Sequence, residues 1–213
     1  MVLVQETYLP AAGHDWALPL YDPLIKLLGG DSVLKTLLAQ ARILPGHRVL
    51  DIGCGTGTLA VRIKRSFPGV DVTGLDPDPH ALDRARRKAR RAGVTVRLDR
   101  GFSEALPYAS ETFDRVFSSF LFHHLPAQMK LQTLVETRRV LIPGGSFHMV
   151  DFGGSKAHAS GRLARLFHSD AELEDNSEDR VLALLNQAGF AAPRKILEGS
   201  MFFGGLRIVY YRA

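Results

Sequence analysis

Short apolar runs alternate along this chain with longer segments in which apolar residues recur at helical spacing. The runs predict strands at about 48–52, 71–75, 94–98, 113–118, 145–151, 190–198 and 202–211. The longer segments predict helices near 57–66, 79–92, 127–141 and 177–188. Such an alternation is typical of parallel βαβ units. The pattern therefore predicts an α/β fold built on a doubly wound, seven-stranded sheet.

Glycines predict two connections in this sheet. Gly199, within Glu198-Gly199-Ser200, separates the last two predicted strands and predicts a hairpin, which would make the last strand antiparallel. Gly144 and Gly145, after Pro143, predict the end of a helix and a turn into the fifth strand. The sequence shows no internal repeat and no linker, so residues 1–213 are expected to form one domain.

Length and cysteine content agree with a single globular domain. A chain of 213 residues can bury a core that is stable without disulfides. Cys54 is the one cysteine, and we interpret it as a packing residue rather than a nucleophile because no base neighbours it in the sequence. The chain starts without the basic and apolar regions of a signal peptide, and no apolar run reaches the roughly 18 residues of a membrane span. A cytoplasmic location is therefore expected.

The net charge of +5 raises the question of nucleic-acid binding. Much of this charge lies in the helix predicted at 79–92, on Arg84, Arg86, Arg87, Lys88, Arg90 and Arg91. An apolar stripe of Ala81, Leu82, Ala85, Ala89 and Ala92 would turn these residues towards solvent. No aromatic residue interleaves them to stack on bases. We favour a solvated helix face, with an RNA-binding patch as the alternative.

The segment Val49–Ala60 carries the most chemical information. An apolar strand runs through Asp51 into three alternate glycines, Gly53, Gly55 and Gly57, which open a helix. Such a turn lets backbone N–H groups approach a ligand, and the helix dipole favours polar or anionic groups, so an adenosine-bearing cofactor would fit. The dinucleotide fingerprint requires a glycine where Thr58 stands, which disfavours NAD. Asp76, at the end of the second predicted strand, can accept hydrogen bonds from both ribose hydroxyls.

These motifs, with others downstream, resemble the class I S-adenosylmethionine (SAM)-dependent methyltransferases, which have a Rossmann-like fold. The closest likeness is to the small-molecule branch that contains the ubiquinone and menaquinone C-methyltransferases. The further motifs are Gly74-Leu75-Asp76-Pro77, Glu104-Ala105-Leu106-Pro107-Tyr108, Thr112-Phe113-Asp114, Phe122-His123-His124-Leu125, Arg139-Val140-Leu141-Ile142-Pro143-Gly144-Gly145 and Ala188-Gly189-Phe190.

The resemblance implies that SAM is the methyl donor and S-adenosylhomocysteine (SAH) the product. The cofactor contacts are expected at the strand ends, from Asp51, Gly53, Cys54, Gly55, Gly57, Asp76, Pro77, Phe102, Ser103 and Ser119. The family usually carries Gly-Asp-Ala after the third strand, where this chain has Gly101-Phe102-Ser103. Phe102 can stack on adenine, whereas the Ser103 hydroxyl or a backbone carbonyl would have to accept the hydrogen bond of its amino group.

Two histidines follow the fourth predicted strand and are candidates for a general base. Methyl transfer needs a base only where the acceptor must lose a proton, and His123 and His124 lie where one could act. The alternative is that they shape the loop or cap the next helix. Among the pair, His124 aligns with the family's recurrent His-Leu, and Tyr21 matches its N-terminal Tyr-Asp. No carboxylate or cysteine accompanies the histidines at ligand spacing, so no metal site is expected.

The resemblance also implies how the chain is divided. Residues 1–40 would form a helical lid, 41–151 the SAM-binding core, 152–176 a substrate-covering insertion, and 177–213 the last helix and hairpin. An apolar lid predicts a small, largely apolar acceptor. The chain lacks the Asn-Pro-Pro-Tyr or Asp-Pro-Pro-Tyr signature that N-methylating relatives carry after strand four, which favours methylation on carbon or oxygen, and a monomer or homodimer is expected. His123-His124 replaces the Arg-Asn pair of the quinone branch, which argues against a specific quinone. The alternatives are a methyltransferase acting on RNA or protein, a nicotinamide dehydrogenase, and a non-catalytic SAM-binding protein.

Overall fold

The structure is a computed structural model that describes residues 29–153, 177–201 and 206–213. The strands are β1 (Arg48–Ile52), β2 (Asp71–Asp76), β3 (Arg97–Arg100), β4 (Phe113–Ser119), β5 (Leu141–Phe152), β6 (Arg194–Met201) and β7 (Leu206–Arg212). The helices are α1 (Gly30–Ala39), α2 (Thr58–Ser66), α3 (Pro79–Arg91), α4 (Ala127–Val140) and α5 (Glu178–Gln187). A short 3₁₀ helix, Phe122–His124, lies between β4 and α4.

The strands form one sheet in the order β3-β2-β1-β4-β5-β7-β6. Only β7 runs antiparallel to its neighbours, β5 and β6, whereas the other pairings are parallel. The predicted Rossmann-like sheet with an antiparallel last strand is therefore confirmed. Strand order reverses between β1 and β4, and ligands of open α/β sheets bind beyond the carboxyl ends of the strands at that point.

Helices cover both faces of this sheet and give the protein two apolar clusters. One cluster packs α1 and α2 against the sheet through residues such as Leu37, Ile63 and Phe117. The other packs α4 and α5 against the opposite face through residues such as Leu134 and Leu185. Within the segment expected to form a lid, residues 30–39 thus form a helix that packs on the sheet. No helix in the described ranges is long and apolar enough to span a membrane.

Two strands begin later than predicted because the residues before them cap helices. Gly93 ends α3 with φ 65°, and the Val94 N–H donates to the Ala89 carbonyl. The end of α5 is similar: Gly189 has φ 90°, and the N–H of Phe190 donates to the Leu185 carbonyl. Both ends are Schellman motifs. The predicted starts of β3 at 94 and of β6 at 190 are therefore wrong by a few residues.

The two connections predicted from glycines are also corrected. Gly199 lies inside β6, where it pairs with Ile208, and the pairing of β6 with β7 continues to Met201 and Leu206. Gly144, at φ 79°, does not end a helix, because α4 already ends at Val140 and β5 starts directly afterwards. The Pro-Gly-Gly segment instead forms an irregularity in β5: pairing with β4 passes from Phe113–Leu141 to Arg115–Ser146.

Candidate cofactor and acceptor site

The glycine turn between β1 and α2 has the backbone that its sequence predicts. Gly53, Gly55 and Gly57 all have positive φ, at 67°, 50° and 77°. A Cβ on Gly57 would lie 2.7 Å from the Ala85 Cβ, so the turn is pressed against α3. A Cβ on Gly55 would meet nothing within 4 Å. The turn therefore packs tightly on one side and presents the Gly55 backbone to open space on another.

Asp76, at the end of β2, is bonded to this turn. Its Oδ2 accepts a hydrogen bond from the Gly55 N–H at 2.8 Å, and its Oδ1 accepts one from the Asp78 N–H at 3.0 Å. Asp78 in turn caps α3 by accepting from the His80 N–H. Each carboxylate oxygen has two lone pairs, so both Asp76 oxygens can still accept from a ribose. Asp76 thus holds the turn and keeps the capacity that its predicted role needs.

Asp51 is a buried carboxylate beside Asp76. Its side chain is fully buried, and neither oxygen has a hydrogen-bond partner among the described residues. Burial, and then the charge of Asp76, raise the pKa of Asp51 to about 8, while the nearby Ala60 N–H acts in the opposite direction. Buried polar groups normally have partners, so an unsatisfied carboxylate indicates a place where a ligand group binds.

Cys54, within the turn, is buried between β1 and β2. Its N–H donates to the Leu75 carbonyl, and a Cβ on Gly74 would lie 2.9 Å from its Sγ. Burial raises the pKa of the Cys54 thiol well above its ordinary value, and the nearby Asp51 and Asp76 add to the rise. A thiol in this environment does not become a nucleophile easily, which supports its interpretation as a packing residue.

The loop after β3 is fastened to α4. The Ser103 hydroxyl hydrogen-bonds the Thr133 hydroxyl at 2.8 Å and donates to the Glu104 carboxylate at 3.3 Å. Arg139 pairs with Glu136 and also donates to the Leu106 and Tyr108 carbonyls of the loop. These contacts fix the backbone next to Phe102, which is partly exposed. The adenine contacts expected of Phe102 and Ser103 stay predictions, as do those of the partly exposed Pro77 and Ser119.

The two predicted histidines differ in environment. His123 is 3% exposed, and its Nδ1 lies 2.6 Å from the Asp151 Oδ1. His124 is partly exposed, and the centre of its ring lies 3.9 Å from that of His123. Sequence reasoning placed Asp151 at the end of β5 but did not pair it with a histidine, because 28 residues separate the two. The structure therefore gives His123, rather than His124, the bond to Asp151.

Asp151 is held in its ionised form. Burial alone would raise the pKa of Asp151, but the bond to His123 and the N–H groups of Phe122 and Phe152 hold it below its ordinary value. An ionised carboxylate only accepts hydrogen bonds, so His123 Nδ1 must carry the hydrogen. The basic nitrogen of a neutral His123 is then Nε2. This pairing is the arrangement by which a carboxylate orients a histidine base.

The backbone between β4 and these histidines is strained. Phe120 has φ 56°, which is unusual for a bulky residue. Its ring packs on Phe152 with centres 4.9 Å apart, and Phe152 packs edge-on against His123. The next residue, Leu121, lies against Gly53, where a Cβ would come within 2.9 Å of it. The strained segment thus joins the glycine turn to the His123–Asp151 pair.

Other predicted features have simpler outcomes. Tyr21 and the segment 154–176 lie outside the described residues. Within the described ranges, no group of three or more His, Cys, Asp or Glu side chains is arranged to hold a metal ion. On α3, Ala81, Leu82, Ala85 and Ala89 are buried as predicted, whereas Ala92, at the end of the helix, is only partly buried. Arg86, Arg87, Arg90 and Arg91 are exposed, whereas Arg84 and Lys88 are only partly exposed.

Comparison with known proteins agrees with this fold. Residues 49–145 match a methyltransferase domain family. The chain is 34% identical to an uncharacterized methyltransferase of Synechocystis over 94% of its own length and 92% of the relative. It is 38% identical to the demethylmenaquinone methyltransferase of Thermus thermophilus, over 70% of this chain and 68% of that enzyme. The chain therefore belongs to the SAM-dependent methyltransferases.

A solved structure has the same fold. A SAM-dependent methyltransferase from Aquifex aeolicus aligns with a TM-score of 0.69 and 22% identity, over 93% of this chain and 98% of that one. Membership of this family identifies SAM as the cofactor, and the residues at the strand ends fit SAM. The buried Asp51 carboxyl group, near which the Ala60 N–H lies, suits the cationic groups of SAM, and the open face of Gly55 leaves room for the cofactor beside Asp76.

Proposed function

We propose that this methyltransferase acts on a small, largely apolar acceptor whose hydroxyl group loses its proton to His123. The observation that carries this proposal is the 2.6 Å hydrogen bond between His123 Nδ1 and Asp151 Oδ1 in a buried environment. A buried ion pair is often no more stabilising than apolar side chains packed in its place, so stability alone does not account for the His123–Asp151 pair. Its value is that it orients the imidazole and stabilises the imidazolium that forms.

The rest of the site supports the same reaction. SAM supplies an electrophilic methyl group on a sulfonium, so the protein must position the acceptor and exclude water. Phe120 and Phe152 pack with the two histidines in an aromatic cluster, and Leu121 connects this cluster to the glycine turn. An acceptor that binds beside such a cluster would be planar and apolar rather than charged. Removing a hydroxyl proton makes that oxygen a nucleophile and, on an aromatic ring, also activates the neighbouring ring carbon.

The relatives support an acceptor of this class. One is named as a demethylmenaquinone methyltransferase, and a rice relative, 31% identical over 160 residues, as a 2-methyl-6-phytyl-1,4-hydroquinone methyltransferase. Both named acceptors are ring compounds with apolar chains. The chain spans 68% and 43% of these two enzymes, and 62% of the Deinococcus radiodurans enzyme that shares the first name. We accordingly propose the class of acceptor and not a particular quinone.

Transfer of a labelled methyl group tests the proposal against the alternative of an RNA substrate. The protein would be incubated with labelled SAM and either an organic cell extract or total RNA, at 50 and 200 mM salt. We expect label in the organic fraction at both salt concentrations. An RNA substrate held by six or so phosphate contacts would lose on the order of 10³ in affinity over this range. Salt-sensitive label in RNA, with none in the organic fraction, would overturn the small-molecule assignment.

A further inference from the structure

Lys88 differs from the other basic residues of α3. Its Nζ donates hydrogen bonds to Thr56 Oγ1 at 2.9 Å and to Thr58 Oγ1 at 2.6 Å. Thr56 lies within the glycine turn and is 4% exposed, and Thr58 is the first residue of α2. Lys88 therefore reaches from α3 back to the turn, although its place in a run of arginines predicts a solvated side chain.

We propose that Lys88 is a positioning residue for SAM, which holds the glycine turn at a fixed distance from Asp76. This role rests on the proposed binding of the cofactor between that turn and Asp76. Three alternate glycines give the turn unusual backbone freedom, so a defined shape needs external contacts. Asp76 supplies one such contact at Gly55, and Lys88 supplies two more at Thr56 and Thr58.

Asp76 and Lys88 are both connected to α3, near opposite ends of that helix. Asp76 is bonded to Asp78, which caps the first turn of α3, and Lys88 lies near the other end of that helix. Between them, Ala85 packs against Gly57 so closely that no Cβ would fit. The glycine turn is therefore attached to α3 by the packing of Ala85 and by Lys88, whose hydrogen bonds are charge-assisted. Such bonds are about twice as strong as those between neutral groups.

Calorimetric titration with SAH tests this role with a matched pair of variants. Lys88→Met removes the ammonium and keeps most of the side-chain length. Arg87→Met makes the same kind of change at an exposed position of the same helix. We expect the Kd for SAH to rise about tenfold in Lys88→Met, which corresponds to about 1.4 kcal/mol. In Arg87→Met the Kd should stay within about twofold, as expected for a surface substitution.

A double-mutant cycle separates positioning from general stability. Thr56→Val/Thr58→Val removes the same hydrogen bonds from the side of the turn, and it keeps the test available if Lys88→Met does not fold. In this background Lys88→Met should change the Kd little further, because the bonds are already absent. Urea unfolding of each variant would show whether affinity and stability change independently.

Chemical rescue provides a second readout. Alkylation of Lys88→Cys with 2-bromoethylamine forms a thioether that ends in an ammonium at nearly the length of lysine. The wild type, treated identically, controls for Cys54, whose buried thiol should react slowly. We expect the modified variant to recover most of the SAH affinity that Lys88→Cys loses.

The outcomes distinguish this inference from the cofactor placement on which it rests. If the wild type does not bind SAH, the placement fails, and the role of Lys88 fails with it. If the wild type and Lys88→Met bind SAH equally, only the role of Lys88 is overturned. An equal loss from Lys88→Met in the wild-type and Thr56→Val/Thr58→Val backgrounds would also overturn it, because the contacts with the turn would then not carry the effect.

Discussion

Asp51 and Asp76 lie on the neighbouring strands β1 and β2, and the charge of Asp76 adds to burial in raising the pKa of Asp51 to about 8. We therefore expect the free protein to keep a proton on Asp51 at neutral pH. A cationic ligand group placed next to this carboxylate would favour its ionised form. Cofactor binding should consequently be coupled to the release of a proton.

We expect the affinity for SAM to rise with pH below about 8 and to level off above it. The reason is that the proton on Asp51 competes with the cation of the cofactor. Titration calorimetry in two buffers with different ionisation enthalpies measures the protons released. Asp51→Asn should release fewer protons than the wild type. Apparent binding enthalpies that do not depend on the buffer would show that Asp51 does not ionise when SAM binds.

Asp51→Asn should also change how stability depends on pH. The folded-state pKa of Asp51, about 8, exceeds the ordinary value of 3.8, so the folded protein binds this proton more tightly than the unfolded chain. The contribution of Asp51 to stability therefore falls as pH rises from about 4 to about 8, by up to about 1.4 kcal/mol per unit. Asparagine has no proton to lose, so the variant should be more stable than the wild type at pH 8.

Urea unfolding at pH 6 and pH 8 measures this effect, with Asp71→Asn as the control at an exposed position of β2. The control should follow the wild type at both pH values. The stability gained in Asp51→Asn should be accompanied by weaker SAH binding, as is common at functional sites. A variant with the same pH dependence as the wild type would mean that the folded protein holds Asp51 in its ionised form.

Asp76→Ala should weaken SAH binding on the order of a hundredfold, since each charge-assisted bond is worth about 1.5–3 kcal/mol. The structure adds a second reason, because this variant also loses the bond between Asp76 and the Gly55 N–H. Asp76→Asn keeps an oxygen that can accept from Gly55 but gives up the charge. Calorimetric titration of both variants separates the two effects. Unchanged affinity in a folded Asp76→Ala protein would remove Asp76 from the cofactor site.

The fold was predictable because its elements have strong local signals, and the errors lie where one local signal has two meanings. Val94 and Phe190 are apolar residues that follow a glycine, and apolar residues in that position also begin strands. In this protein both cap the preceding helix instead. The sequence pattern alone does not distinguish the two cases, since the cap depends on the φ of Gly93 and Gly189. The two wrong connections have a related cause. Gly199 and Gly144 lie inside β6 and β5, and a glycine within a strand looks the same in the sequence as a glycine at a turn or a helix end.

Part of the candidate site was predictable from local motifs, and part depends on contacts between residues distant in sequence. Asp51, the alternate glycines and Asp76 belong to motifs that are local in sequence, so their positions followed from the order of strands. Asp151 and Lys88 contact residues 28 to 32 positions away, and only the folded sheet brings them there. The sequence also could not predict that His123 is buried and His124 is only partly buried, because the two are adjacent residues of the same type. One signal was available: Asp151 ends a predicted strand next to the strand that the histidines follow.

Asp151→Asn gives the most direct test of the proposed base. Asp151 Oδ1 accepts from His123 Nδ1 and the Phe152 N–H, and its Oδ2 accepts from the Phe122 N–H, so the single oxygen of an amide cannot serve all three donors. The amide also carries no charge, so it does not stabilise the imidazolium that forms when His123 takes a proton. We expect kcat/KM for the acceptor to fall at least about a hundredfold, the usual contribution of a general base.

The affinity for SAH should stay within about twofold, because neither Asp151 nor His123 is expected to touch the cofactor. The assay would use the labelled organic fraction from the wild type as acceptor. His124→Asn is the matched control, and it should retain far more activity than His123→Asn, since His123 is the one bonded to Asp151. If Asp151→Asn transferred methyl groups at the wild-type rate, the reaction would not need an oriented base, and the acceptor would have to be one that reacts without losing a proton to His123.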